Sequence, residues 1–124
     1  PVSGKIRGID IKGLPALERK LALLPGLVRS AGSRAVRDET DEAADDARRN
    51  APVKTGTLRE SVQSEYDDKS IRGRVAATAR YAKFVEHGTD DTPAQPFMLP
   101  AAEAARRRFP KRLRAEIKTE LEAL

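Results

Sequence analysis

An α+β fold is predicted for this chain, with a long helix and a C-terminal helix packed on a small, mostly antiparallel β-sheet. Three observations carry the prediction. Apolar residues step by three and four from residue 27 to residue 49, the step shortens to two between 51 and 79, and it returns to three and four after Pro100. The 124 residues suit one domain spanning 1–124, with no internal repeat and no low-complexity linker.

In the first segment, "GKIRGIDIKG" (4–13), Ile9 and Ile11 alternate with charges between glycines, which suits a short strand. Residues 14–26 then place Leu14, Leu17, Leu21 and Leu24 on one helical face, with Pro15 near the first turn and Pro25-Gly26 as the stop. A longer helix is predicted from Leu27 to Arg49, roughly 35 Å in length. Its stripe of Leu27, Val28, Ala31, Ala35, Ala43, Ala44 and Ala47 is mostly alanine, so neighbouring elements can approach it closely. Asn50 and Pro52 end it.

Period two follows. Leu58, Val62 and Tyr66 share one face, Ile71, Gly73, Val75 and Ala77 share one face of the next run, and "DDKS" (67–70) between them reads as a hairpin turn. The apolar side of this hairpin is expected to pack on the long helix. Tyr81, Phe84 and Val85 then return to helical spacing, with Gly88 as C-cap, before a loop over 89–97 stiffened by Pro93 and Pro96. Pro100 is expected to open the last helix, whose stripe is Ala102, Ala105, Phe109, Leu113, Ile117, Leu121 and Leu124. Pro110 inside that stripe predicts a kink, or two helices joined at Phe109-Pro110.

Composition narrows the function. The apolar fraction is 39% and the charged fraction 35%, with three Phe, two Tyr and no Trp. Such a core is small and aliphatic, and an isolated monomer is expected to be marginally stable, so assembly with further copies would bury the rest. The absence of cysteine excludes disulfides, thiol chemistry and cysteine-based zinc sites. No apolar run is long enough for a membrane span, and the N-terminus lacks a signal-peptide core, so a cytoplasmic product without membrane partners is expected. The net charge of +5 is unevenly spread. "DETDEAADD" (38–46) has six acidic residues and "RRRFPKRLR" (106–114) has six basic ones, each run complementary to the other.

The residues that could carry chemistry are few. Glu86-His87 would offer a general base with an orienting acid, or a metal-ligand pair. Adjacent residues diverge on either a helix or a strand, however, and no second histidine or cysteine completes a metal set. No nucleophile elbow and no phosphate-binding loop is present. No catalytic residue, metal or cofactor is therefore expected. The basic run Arg106, Arg107, Arg108, Lys111, Arg112 and Arg114 reads as a solvated or inter-subunit face, or alternatively as a non-specific nucleic-acid contact. Its one aromatic, Phe109, belongs to the apolar stripe and is expected to point inward, so none is left beside the arginines for base stacking.

Three blocks of the sequence, taken in order, resemble a known family. They are Ala51-Pro52 with Thr55, Gly56, Leu58 and Ser61; then Tyr81-Ala82 with Val85, Glu86, Gly88 and Thr89; then Gln95-Pro96-Phe97 with Pro100 and Ala101. This pattern is similar to that of small head–tail joining, neck or tail-completion proteins of long-tailed bacteriophages. The opening "IKGLPALERKLALLP" also resembles the family's usual start, whereas His87 stands where an aromatic or aliphatic residue is frequent, and Pro110 is an addition.

The resemblance implies a non-enzymatic virion protein at the head–tail junction or tail, made in the host cytoplasm and assembling as a ring between capsid connector and tail tube. Six-fold symmetry is expected, with a twelve-fold ring as the connector-facing alternative. The implied partners are further copies of the chain, a connector or head-closure protein, and a tail terminator or tail tube protein. The roles of terminator and head-closure protein are neighbouring alternatives. Acidic and basic runs on opposite sides of the subunit would suit head-to-tail contacts that close by rotation, or the basic face would line the DNA channel. Thr55-Gly56 is expected to turn the chain from helix into sheet, with Gly56 at positive φ, so that Gly56→Ala impairs folding or assembly.

Overall fold

A stripe of alanines decides how this chain packs. The computed structural model describes residues 11–12, 26–53 and 56–123, the first pair by backbone alone. The expectations for 4–10, for the helix over 14–25, for Thr55 and for Leu124 lie outside the described residues.

After the two-residue strand β1 (Ile11–Lys12), helix α1 (Gly26–Asn50) buries Ala31, Ala35, Ala43, Ala44 and Ala47 along one side, as its period predicts. Leu27 and Val28 are only half-buried, while Val36, Glu39 and Thr40 join the buried side. The chain then makes a single helical turn, α2 (Thr57–Glu60), before the hairpin of β2 (Val62–Asp67) and β3 (Arg72–Ala77). Leu58 is thus buried from a helical turn and not from a strand, which corrects the period-two reading at that position. A short helix, α3 (Ala82–His87), and a long one, α4 (Met98–Glu122), complete the described chain. The fold is α+β.

The sheet order is β1–β3–β2, antiparallel throughout, with β3 in the centre. Register places Val62 opposite Ala77, Ser64 opposite Val75 and Tyr66 opposite Gly73. This is the face the alternation predicts, and α1 lies across it. Where helix and sheet come nearest, a Cβ on Gly73 would overlap the Thr40 hydroxyl and sit 2.8 Å from the Thr40 Cβ. Only glycine fits there. Thr40 turns its hydroxyl back onto its own helix, donating to the Val36 carbonyl oxygen at 2.6 Å.

Helix α4 packs antiparallel to α1, since Ala43, Ala44 and Ala47 share a cluster with Ala101, Ala102 and Ala105 while Ala35 and Val36 meet Leu113. Small side chains on both faces let the two backbones approach closely. Phe97, Met98, Leu58 and Val75 fill the first cluster. Ile71 fills the second, beside half-buried Val28, Phe109 and Ile117. Ile71 has φ of 51°, an unusual conformation for a β-branched residue. Burial of its side chain, among the largest that are fully enclosed, offsets that strain.

Two expectations for the last helix are corrected. It is a single helix from Met98 to Glu122 and neither begins at Pro100 nor divides at Pro110. Pro110 is exposed, so the Arg106 carbonyl that loses its helical partner also faces solvent, where water can replace the missing bond. Toward the C-terminus the apolar stripe runs out of partners: Ile117 is half-buried and Leu121 is exposed.

Candidate functional site

The second and third sequence blocks meet at the start of α4, and a carboxylate joins them. Glu86 is only 4% exposed and lies on the buried side of α3 with Ala82. Its Oε1 accepts hydrogen bonds from the backbone N–H groups of Phe97 and Met98, both at 2.9 Å, and its Oε2 accepts one from Leu99 at 3.0 Å. A helix begins with four N–H groups that have no partner in the helix. With Phe97 at the cap position, those four belong to Phe97, Met98, Leu99 and Pro100, and Pro100 has no N–H to satisfy. The accounting closes. A negative charge at this position also opposes the positive end of the helix dipole.

The intervening loop is folded so that Glu86 can reach. Gly88 adopts φ of 77°, and a Cβ there would stand 2.7 Å from the Ala94 nitrogen and 2.9 Å from the Thr92 carbonyl oxygen. Thr89 N–H donates to the Thr92 carbonyl at 2.8 Å, the Thr89 hydroxyl accepts from Thr92 N–H at 3.1 Å, and Gln95 N–H donates to the Val85 carbonyl at 2.8 Å. Phe97 follows, fully buried, and Asn50 at the end of α1 donates to its carbonyl oxygen at 3.4 Å.

The first block belongs to the same end of the molecule. Ala51 is buried, Pro52 half-buried, and Gly56 has φ of 83° before α2; a Cβ there would meet only the Glu60 carboxylate, at 3.8 Å. Ser61 closes α2 by donating to the Leu58 carbonyl at 2.7 Å. Arg59 donates to the Arg48 carbonyl at 3.0 Å, and Arg48 to the Val62 carbonyl at 2.9 Å, which ties the end of α1 to the first strand of the hairpin.

The charged runs require a correction. They do not lie on opposite sides of the subunit; they face each other across the α1–α4 seam. Glu39, 4% exposed, receives Arg108 at 2.6 Å and Arg112 at 2.8 Å. Arg108 also reaches Glu42 at 3.3 Å and Asp46 at 3.1 Å, and Arg112 pairs with Glu42. The ladder continues with reversed sign where Arg34 meets Glu116 and Glu120. Partial burial disfavours the Arg108 charge, but the Glu39 and Asp46 carboxylates outweigh it, so its pKa lies above the ordinary value. Complementary charges four residues apart on antiparallel helices meet naturally once the alanine stripe brings the two helices together. Of the six basic residues, Arg108 and Arg112 are therefore engaged inside the subunit, and Arg106, Arg107, Lys111 and Arg114 remain exposed.

Little in this region invites chemistry. Both Glu86 oxygens are occupied by backbone donors, whereas His87 is exposed on the next position of α3, so the pair diverges. Among the described residues no group of three or more His, Cys, Asp or Glu is placed to hold a metal ion, and no helix is long and apolar enough to cross a membrane. The blocks do leave some side chains without a role in the core. Tyr81, at the cap of α3, and Phe84 are exposed, and the inward side of α3 is Ala82 and Glu86. Val85 is half-buried, and Thr89, Gln95, Pro96 and Pro100 are exposed.

A family described as "Bacteriophage HK97-gp10, putative tail-component" matches residues 16–88, more than half of the chain, ending at the glycine that closes α3. No match was found among curated proteins or among solved structures. The third block and α4 lie beyond the matched span, but Glu86 within it supplies the cap on which α4 begins. The chain belongs to the HK97-gp10-like family of bacteriophage tail components, and is thus a tail-related, virion-associated protein.

Proposed function

We propose that the protein is a non-catalytic structural subunit at the head–tail junction, which forms a ring and joins the capsid connector to the tail tube. The observation that carries this reading is the end of the molecule at which the three blocks meet. Among the described residues, Val53, Tyr81, Phe84 and Leu99 are four of the five large apolar side chains left exposed, at 52%, 42%, 50% and 50%. They come from the exit of α1, from α3 and from the first turn of α4, three segments bound together through Asn50, Phe97 and Glu86. Rigidly mounted apolar side chains around a polar loop are what a protein–protein contact requires. The neighbouring copy is the first occupant, with six copies closing the ring. A connector or head-closure protein lies on one side, and a tail terminator or tail tube protein on the other. Glu86, Gly88 and Phe97 serve that surface by holding it in place.

The test is complementation of a phage lacking the gene with the double variant Tyr81→Ser, Phe84→Ser. Both positions are exposed, so the subunit should fold as before. Heads and tails are expected to accumulate unjoined, with infectious yield down at least tenfold. Normal yield from a variant expressed at normal level would overturn the reading.

A further inference from the structure

The exposed part of the basic run forms a row that the sequence alone did not separate from its neighbours. Arg107, Lys111, Arg114 and Lys118 recur at i, i+4, i+7 and i+11 on α4, and all four are exposed. At 3.6 residues per turn they fall within roughly 60° of one another and extend roughly 16 Å along the helix. They lie on the side away from Ala101, Ala102, Ala105 and Leu113. Among the described residues the only ion pair made by any of them is a 3.9 Å contact of Lys118 with Glu122 at the end of the row. Like charges at these spacings oppose helix formation, so the row works against the fold that carries it.

We propose that this outer face of α4 binds the phosphate backbone of duplex DNA without sequence preference. Half of the chain's own acidic run is unavailable as partner, because Glu39, Glu42 and Asp46 are already engaged by Arg108 and Arg112 across the seam. An acidic protein surface fits less well: protein contacts have an apolar centre and are poor in lysine. Here no large apolar side chain belongs to the row: Leu113, between Lys111 and Arg114 in sequence, is buried on the opposite side of the helix. A line of cations with nothing else between them matches a regularly repeated phosphate charge. Side chains for base reading or base stacking do not accompany it, which favours a double strand over a single one. The proposal stands on this charge layout and does not depend on the copy number of a ring.

The test is fluorescence anisotropy with a labelled mixed-sequence duplex of about 30 base pairs, titrated from about 25 to about 200 mM potassium chloride. Two variants of equal net charge are compared: Arg107→Gln, Lys111→Gln, Arg114→Gln on the row, and Lys69→Gln, Arg80→Gln, Lys83→Gln elsewhere on the surface. The row variant should lose at least about tenfold in affinity at low salt and about 2.7 from the slope of log affinity against log salt, the value for three phosphate contacts. The other variant should stay within about twofold of the unmodified protein. Equal losses in both would show a net-charge effect and overturn the proposal. Failure to bind the duplex at the lowest salt would also overturn it, and binding of polyglutamate in its place would assign the face to an acidic protein. Native mass of the same samples reads assembly separately, so loss of either result leaves the other standing.

Discussion

Three backbone N–H groups end on the carboxylate of Glu86, and Pro100 removes the fourth donor that the start of α4 would otherwise leave open. Each buried donor without an acceptor costs about 1–3 kcal/mol. Leu99 is partly in reach of water, so Glu86→Ala is expected to destabilise the protein by about 3–5 kcal/mol in total. Glu86→Gln keeps an oxygen for Phe97 and Met98 but turns an amide NH2 toward the Leu99 N–H, and should lose about half as much. Urea denaturation monitored by circular dichroism reads both, with a lowered midpoint and an unchanged slope. A loss below about 1 kcal/mol in the alanine variant would mean that the cap does not hold the helix. The sequence shows Glu86, Phe97 and Pro100 plainly, but not that they act together. The usual signature places the capping side chain within the helix it caps, whereas here it arrives from another helix eleven residues earlier.

Among the elements, the β2–β3 turn is held from two sides. Asp67 Oδ1 accepts from the backbone of Lys69 at 3.0 Å and of Ser70 at 3.4 Å, and the next residue, Asp68, faces α1. There Arg37 donates to Asp68 at 2.7 Å, Ser33 at 3.2 Å, and Arg29 reaches the Asp68 and Lys69 carbonyls. Arg37 also covers the Tyr66 ring at 4.7 Å. Hydrogen bonds from Ser70 lower the Asp67 pKa, and the Arg37 guanidinium lowers that of Asp68, both from 3.8. A carboxylate with a depressed folded pKa adds stability above its unfolded pKa and loses it as pH falls through the folded value. The thermal midpoint is therefore expected to hold steady down to about pH 4 and to fall below it. Asp68→Asn should flatten part of that fall; an unchanged acid limb would show that the turn does not use the charge. The hairpin itself was legible, because alternation from Val62 to Ala77 names the buried face. Its attachment was not, since Asp68 meets α1 through residues more than thirty positions earlier. The same distance hid the contact of Gly73 with Thr40. The acidic and basic runs were visible as complements, and only the packing of alanine on alanine shows that they satisfy each other within one subunit.

At the scale of the molecule, the two ends of the helix pair differ in kind. One gathers Phe97, Met98 and Leu58 inside and Tyr81, Phe84, Leu99 and Val53 outside; the other closes over Ile71 and Leu113 and then lets α4 run on to exposed Leu121. Much of the buried side of both long helices is alanine, which removes little apolar area from water per residue. Stability left unfilled by such a core can come from copies that bind only the folded state, and association of that kind raises the thermal midpoint with protein concentration. If the apolar end is where copies meet, the midpoint should rise by a few degrees between about 1 and about 100 μM protein. Tyr81→Ser, Phe84→Ser should abolish that rise while leaving the midpoint at the dilute end unchanged, because neither side chain is part of the core. A midpoint independent of concentration in the unmodified protein would place assembly on a partner's surface and not between free copies. A double variant that lowered the dilute midpoint would instead assign Tyr81 and Phe84 to the fold. Calorimetry across that range separates the three outcomes with one pair of proteins.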